Sequence, residues 1–98
     1  MVAARDHAWV ALHHYRRRWA ESRGDAWDSW GPAVYLFEVD DNGLPVRQVE
    51  RYDAGPTLRY GPDHPEDEHG GLSTVRLDPD EWLPFSVSPA TFEEAWAG

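Results

Sequence analysis

The chain has 98 residues, 41% hydrophobic and 28% charged, with a formal net charge of −9. That length makes one domain, expected to span residues 1–98, and the apolar content argues against a disordered chain. It contains neither cysteine nor lysine, which excludes disulfides, thiol nucleophiles, Cys-ligated zinc, Schiff-base chemistry and the phosphate-binding lysine of a P-loop.

The charge is uneven. Residues 1–23 carry five arginines against Asp6 and Glu21, whereas residues 24–98 carry four arginines against sixteen acids. The acidic body should repel nucleic acid and attract basic surfaces, or serve solubility alone. Arg16 to Arg18 form a cationic patch too small to make nucleic acid the expected partner, although it could meet the acidic face of another copy. No run approaches the ~20 apolar residues that cross a bilayer, and "MVAARDHAWV" lacks the apolar stretch of a signal peptide. A soluble cytoplasmic protein without a membrane partner is expected.

In chain order, residues 1–31 are expected to form an N-terminal helix and a Trp-rich loop. Over 6–22, Ala8, Leu12, Tyr15 and Trp19 fall at helical steps, Asp6 can cap the start and Gly24 can stop the helix. Trp9, Ala11, His13 and Tyr15 also alternate, so a strand is the competing assignment. Residues 33–61 read as a β-meander: "AVYLFEV" (33–39), the "DDNG" turn, "LPVRQVERY" (44–52), the "DAGP" turn and "TLRYG" (57–61). Residues 62–72 form an acidic loop. In residues 73–98, "STVRL" (73–77) is a short fourth strand or extended chain, and "DPDEW" is one helical turn capped by Asp78. "PFSV" (84–87) is extended, and "SPATFEEAWAG" is a helix capped by Ser88 and opened by Pro89. The fold class is therefore α+β, a three- to four-stranded antiparallel meander with an N-terminal and a C-terminal helix packed on it. Apolar residues point both ways along the first predicted strand, so the sheet is either covered twice or used for binding.

The ordered set "YLFEV", "PVRQVERY", "GPTLRY", "HPEDEHGGL" and terminal "FEEAW" resembles a group of short, uncharacterised bacterial proteins. The resemblance spans residues 34–97 and implies no catalytic residue. Small acidic proteins of this kind are also similar in type to the immunity proteins encoded beside bacterial toxins.

The residue types restrict the chemistry. His64 and His69 in "DHPEDEHGG" stand five apart, a separation that neither helix nor strand brings onto one face, and the calcium-loop template places glutamate where it needs glycine. No metal, no cofactor and no catalytic residue is assigned. The loop residues Asp63, His64, Glu66, Asp67 and Glu68, with Trp27 and Trp30 before the first predicted strand, are instead candidates for docking a protein partner. Arg47, Arg51 and Arg59 are expected to pair with Glu38 and Glu50 across strands. His13 is expected to flank the apolar stripe and His14 to lie on the polar side. A candidate ligand pocket joins His13, Arg47, Tyr52 and Tyr60.

Two functions are therefore carried forward. The first is an acidic partner-binding module, of the toxin-neutralising kind, that covers a basic protein surface. The alternative is a small-molecule-binding protein, or a small acid-base enzyme without a thiol, with an aromatic pocket.

Overall fold

The computed structural model describes residues 12–98. Four strands form one antiparallel sheet in chain order: β1 (His13–Trp19), β2 (Ala33–Val39), β3 (Pro45–Tyr52) and β4 (Thr57–Tyr60). A two-residue hairpin follows, β5 (Glu66–Asp67) with β6 (Gly70–Gly71). Two helices close the chain, α1 (Pro79–Trp82) and α2 (Pro89–Ala97). The class is α+β, as the sequence predicts.

The N-terminal helix is the main correction. Of the predicted 6–22, residues 6–11, with Trp9, lie outside the described residues, while His13–Trp19 is a strand. It pairs with β2 from His13↔Val39 to Trp19↔Ala33. That ladder satisfies the backbone on the outer side of β2, which local helix propensity cannot do. The helical stripe is not buried as a unit: Tyr15 is 5% exposed, but Leu12 is 43% and Trp19 45% exposed. Alternation also reverses the two histidines. His13 is exposed, and His14 is buried at 7%.

The three meander strands form where β-branched and aromatic residues are densest, and the connecting turns are locally encoded. In the β2–β3 turn, Asp40 Oδ1 accepts from the amides of Asn42 at 2.9 Å and Leu44 at 3.0 Å. Gly43 completes the turn at φ +81°, and a Cβ there would sit 2.6 Å from the Leu77 carbonyl oxygen. The Gly43 carbonyl in turn accepts from Leu77 N at 2.8 Å, which fastens the turn to the later chain. Gly43→Ala is expected to cost about 1–3 kcal/mol through the left-handed backbone and the contact together, read as a lower urea midpoint.

Both helices start as their sequences predict. Asp78 accepts from Asp80 N, and Ser88 accepts from Thr91 N. Residues 73–77 form no strand, and Leu83–Phe85 is a 3₁₀ turn where extended chain is expected. Immediately after it, Val87 N donates to His14 O at 2.9 Å and Ser86 bridges Tyr15, so this segment covers part of the outer edge of β1.

The sheet is covered on both faces, unequally. On one, the helix face, Leu36 and Val49 pack with Phe92 and Ala95 of α2. The opposite face carries two separate clusters. Tyr15, Phe37 and Val39 pack with Leu77 and Trp82 at one end. At the other, Ala33, Tyr52, Leu58 and Tyr60 pack with Trp30 and Leu72. Tyr35 is half-buried and touches both clusters. Among the described residues, the sheet around it stays open.

Candidate functional site

Period-two alternation on β3 puts Gln48, Glu50 and Tyr52 on the open face, while Arg47, Val49 and Arg51 point to the helix face. Gln48 lies opposite Phe37, Glu50 opposite Tyr35, and Tyr52 opposite Ala33. These residues floor a cleft of about 420 Å³, walled by Trp19 and Arg23 on one side and by His69 to Gly71 on the other.

Glu50 is only 6% exposed. One of its oxygens accepts from the Tyr52 hydroxyl, and the other accepts from Gln48 Nε2 at 2.6 Å. Both oxygens accept, which is the hydrogen-bonding pattern of a carboxylate, and about two of its four acceptor positions remain unused. Among the described residues no cation lies within 4.0 Å of it. A buried carboxyl that keeps unused acceptor capacity on the floor of a cleft is a candidate binding group.

The groups around Glu50 are held in turn. Tyr52 donates its hydroxyl hydrogen bond to Glu50, so its oxygen accepts from Tyr35 at 3.2 Å and from Arg23 at 3.3 Å. Burial, followed by the hydrogen bond to Glu50, pushes the Tyr52 hydroxyl up from its ordinary value, and burial pushes Tyr35 up as well. Both phenols are therefore neutral donors at pH 7. Gln48 is satisfied at its other end, where Oε1 accepts from Ser73 N at 2.8 Å.

The wall owes its shape to the loop before β2. Asp28 Oδ1 accepts from Ser22 Oγ at 2.6 Å and Gly24 N at 2.7 Å, and Asp25 accepts from Trp27 N at 2.9 Å. Hydrogen bonding from Trp27 N, then from Arg23, outweighs burial and lowers the Asp25 carboxyl. The turn places Arg23 over the rings of Trp27, Trp30 and Tyr52, at 5.4, 5.6 and 5.8 Å. Burial alone would lower the Arg23 guanidinium, but its bonds to Asp25 and Tyr52 raise it, so it stays charged. It also donates to the His69 carbonyl and thereby ties this loop to the β5–β6 hairpin.

The docking candidates separate. Trp27 and Trp30 are half-buried and turned onto the His69 ring, at 4.8 and 5.3 Å. Trp30 packs so closely on the next turn that a Cβ on Gly55 would lie 2.5 Å from its ring. Asp67 accepts from Tyr60 at 2.9 Å and from His69 N at 2.8 Å, and so fixes the hairpin. His64 stacks on Tyr60 with ring centroids 6.0 Å apart. Asp63, Glu66 and Glu68 face solvent. Among the described residues no group of three ligand-type side chains is placed to hold a metal.

The four pocket candidates do not converge. Tyr52 and Tyr60 share the open face, with Tyr60 beneath the β5–β6 hairpin. His13 is exposed at the far end of β1, 3.6 Å from Asp41. Arg47 is on the helix face, where it donates to Glu38 Oε1 and Oε2 at 2.7 Å each and to Glu93 at 3.1 Å. Of the expected cross-strand pairs, Arg47–Glu38 forms, Arg59 donates instead to the Ala95 carbonyl, and Glu50 points away from all three arginines.

Glu50, Gln48 and Arg23 are the site residues that sequence reasoning missed. The signal was present in the order Gln48, Glu50, Tyr52, three polar-tipped side chains at i, i+2 and i+4 on one face of a strand. Taking Glu50 as an ion-pair partner hid it. Among the described residues no helix is long and apolar enough to cross a membrane. Comparison with protein-family models, with curated proteins and with solved structures gives no match in any of the three, so the chemistry of the cleft is the guide to function.

Proposed function

We propose that the chain is a small-molecule-binding protein whose open sheet face takes a cationic ligand on Glu50. The observation that carries this reading is a buried carboxylate, held by two neutral donors, at the floor of an aromatic cleft. Among the described residues, Glu21, Asp25 and Glu50 line that cleft against one guanidinium, that of Arg23, so its field favours a cation. Glu50 supplies acceptor capacity for an ammonium or amidinium group, and Trp19 and Tyr35 supply ring faces for a flat body. A protein-covering role is less well supported by this geometry, because Trp27 and Trp30 are spent on packing His69.

The test is a titration of the intact protein with benzylamine, followed by tryptophan fluorescence, beside the neutral and anionic analogues benzyl alcohol and benzoate. A ligand as small as benzylamine should bind with a dissociation constant of about 1 mM, equivalent to roughly −4.1 kcal/mol. Benzyl alcohol and benzoate should bind at least tenfold more weakly. Glu50→Gln should remove about 1.5–3 kcal/mol, a loss of roughly 10- to 100-fold, because the ligand then meets a neutral amide. Equal affinity for the three analogues, or for the wild type and Glu50→Gln, overturns the proposal.

A further inference from the structure

We infer that the ligand is an amphipathic cation that spans two joined chambers, with its charged head on Glu50 and an apolar tail over Phe37 and Trp82. This inference rests on the cleft reading above and goes beyond it in naming a tail and its seat.

A second cavity of about 460 Å³ adjoins the first, and the two share Trp19, Tyr35 and Gln48 as lining residues. Their chemistry differs. The first holds the buried carboxylate, whereas Phe37, Val75, Leu77 and Trp82 make the second largely apolar. An aromatic ladder connects them along the open face. Tyr52 to Tyr35 is 6.5 Å between ring centroids, Tyr35 to Phe37 is 6.0 Å, and Phe37 to Trp82 is 5.6 Å.

Two features of the second chamber argue for a ligand tail. Val75 stands 68% exposed at its margin, an apolar rim that a ligand tail would cover. Beyond Trp82, Arg17 is already engaged. Its guanidinium lies 4.9 Å from the Trp82 ring centroid and 4.5 Å from that of Phe85, and it donates to Glu81 at 3.3 Å. At that end Glu81 is paired with Arg17 and Asp78 accepts from Asp80 N, so the two carboxylates on the rim are already engaged. A ligand that satisfied only the carboxylate would leave Val75 wet. One with charge at both ends would bring a cation against apolar rings that already hold Arg17.

The experiment compares benzylamine with 4-phenylbutylamine on full-length protein carrying 5-fluorotryptophan, with the fluorine resonances assigned by single Trp→Phe changes. Benzylamine should move the Trp19 resonance and leave Trp82 in place. The longer amine should move both and bind about tenfold tighter, from the extra apolar area it buries. Val75→Asn, at an exposed position that should not disturb folding, should weaken the longer amine at least threefold relative to benzylamine. If the longer amine gains nothing, or gains without moving Trp82, while benzylamine still binds through Glu50, the two-chamber inference falls and the cleft reading stands. If neither amine binds, both fall.

Discussion

Glu38→Gln should cost about 3–5 kcal/mol of folding stability at pH 7, a large part of the roughly 5–15 kcal/mol that holds a typical domain together. Glu38 lies on the helix face with its side chain 6% exposed. It receives two hydrogen bonds from Arg47 at 2.7 Å each and one contact from His14 Nε2 at 3.0 Å. The Arg47 guanidinium also lies over the rings of Phe92 and Trp96, at 4.9 and 5.0 Å, so it joins β3 to α2 through charge and ring face at once. A neutral amide at position 38 leaves that guanidinium paired only with exposed Glu93. Adding Arg47→Met should recover part of the loss, because the stranded charge goes with it. If Glu38→Gln unfolds at the wild-type urea midpoint, the network contributes nothing.

The same pair sets a pH dependence with a definite sign. Arg47's hydrogen bonds hold the Glu38 carboxyl below the ordinary carboxylate range, against burial, which pushes it up, and with help from His14. Glu93 is lowered by the same arginine. A lowered folded-state value means the stabilisation is complete above the unfolded carboxylate value of about 4.3 and is lost as pH falls through the lower folded value. The stability gap between wild type and Glu38→Gln should therefore be constant near neutrality and narrow in acid. A gap that widens below pH ~4 would contradict an ionised Glu38.

Particular residues explain why the meander was legible and the first strand was not. "AVYLFEV" and "PVRQVERY" are β-branched and aromatic, and Asp40 with Gly43 encodes the turn between them, so neighbouring residues decide the outcome. In "HHYRRRW" both periods are available, and the decision falls to the outer edge of β2, contributed by residues far along the chain. Register was hidden for a related reason. Val34 and Leu36 are apolar, and so are Tyr35 and Phe37, because both faces of the sheet are covered, one by α2 and one by the segments around Leu72 and Leu77. The cleft itself depends on Arg23 reaching both the Tyr52 hydroxyl and the His69 carbonyl, three segments whose spacing carries no local pattern.

Phe92→Ala should cost about 3–5 kcal/mol as well, yet leave benzylamine affinity unchanged under native conditions. Phe92 is 0% exposed, packs with Leu36 and Val49, and lies 5.5 Å from the His14 ring and 6.2 Å from Trp96. Its removal opens a cavity beneath α2, between a short helix and a rigid sheet that has little freedom to collapse. The cleft-lining residues Glu50, Gln48 and Tyr35 point the other way across the same strands. Stability and binding are thus assigned to opposite faces, with the sheet as a common wall. Guanidinium denaturation should show the lower midpoint, while the fluorescence titration in buffer should show a dissociation constant within about twofold of wild type. An unchanged midpoint would mean α2 is not the main cover of the helix face. A lost titration in a protein that remains folded would mean the two faces are coupled, and the division of labour across this sheet would have to be abandoned.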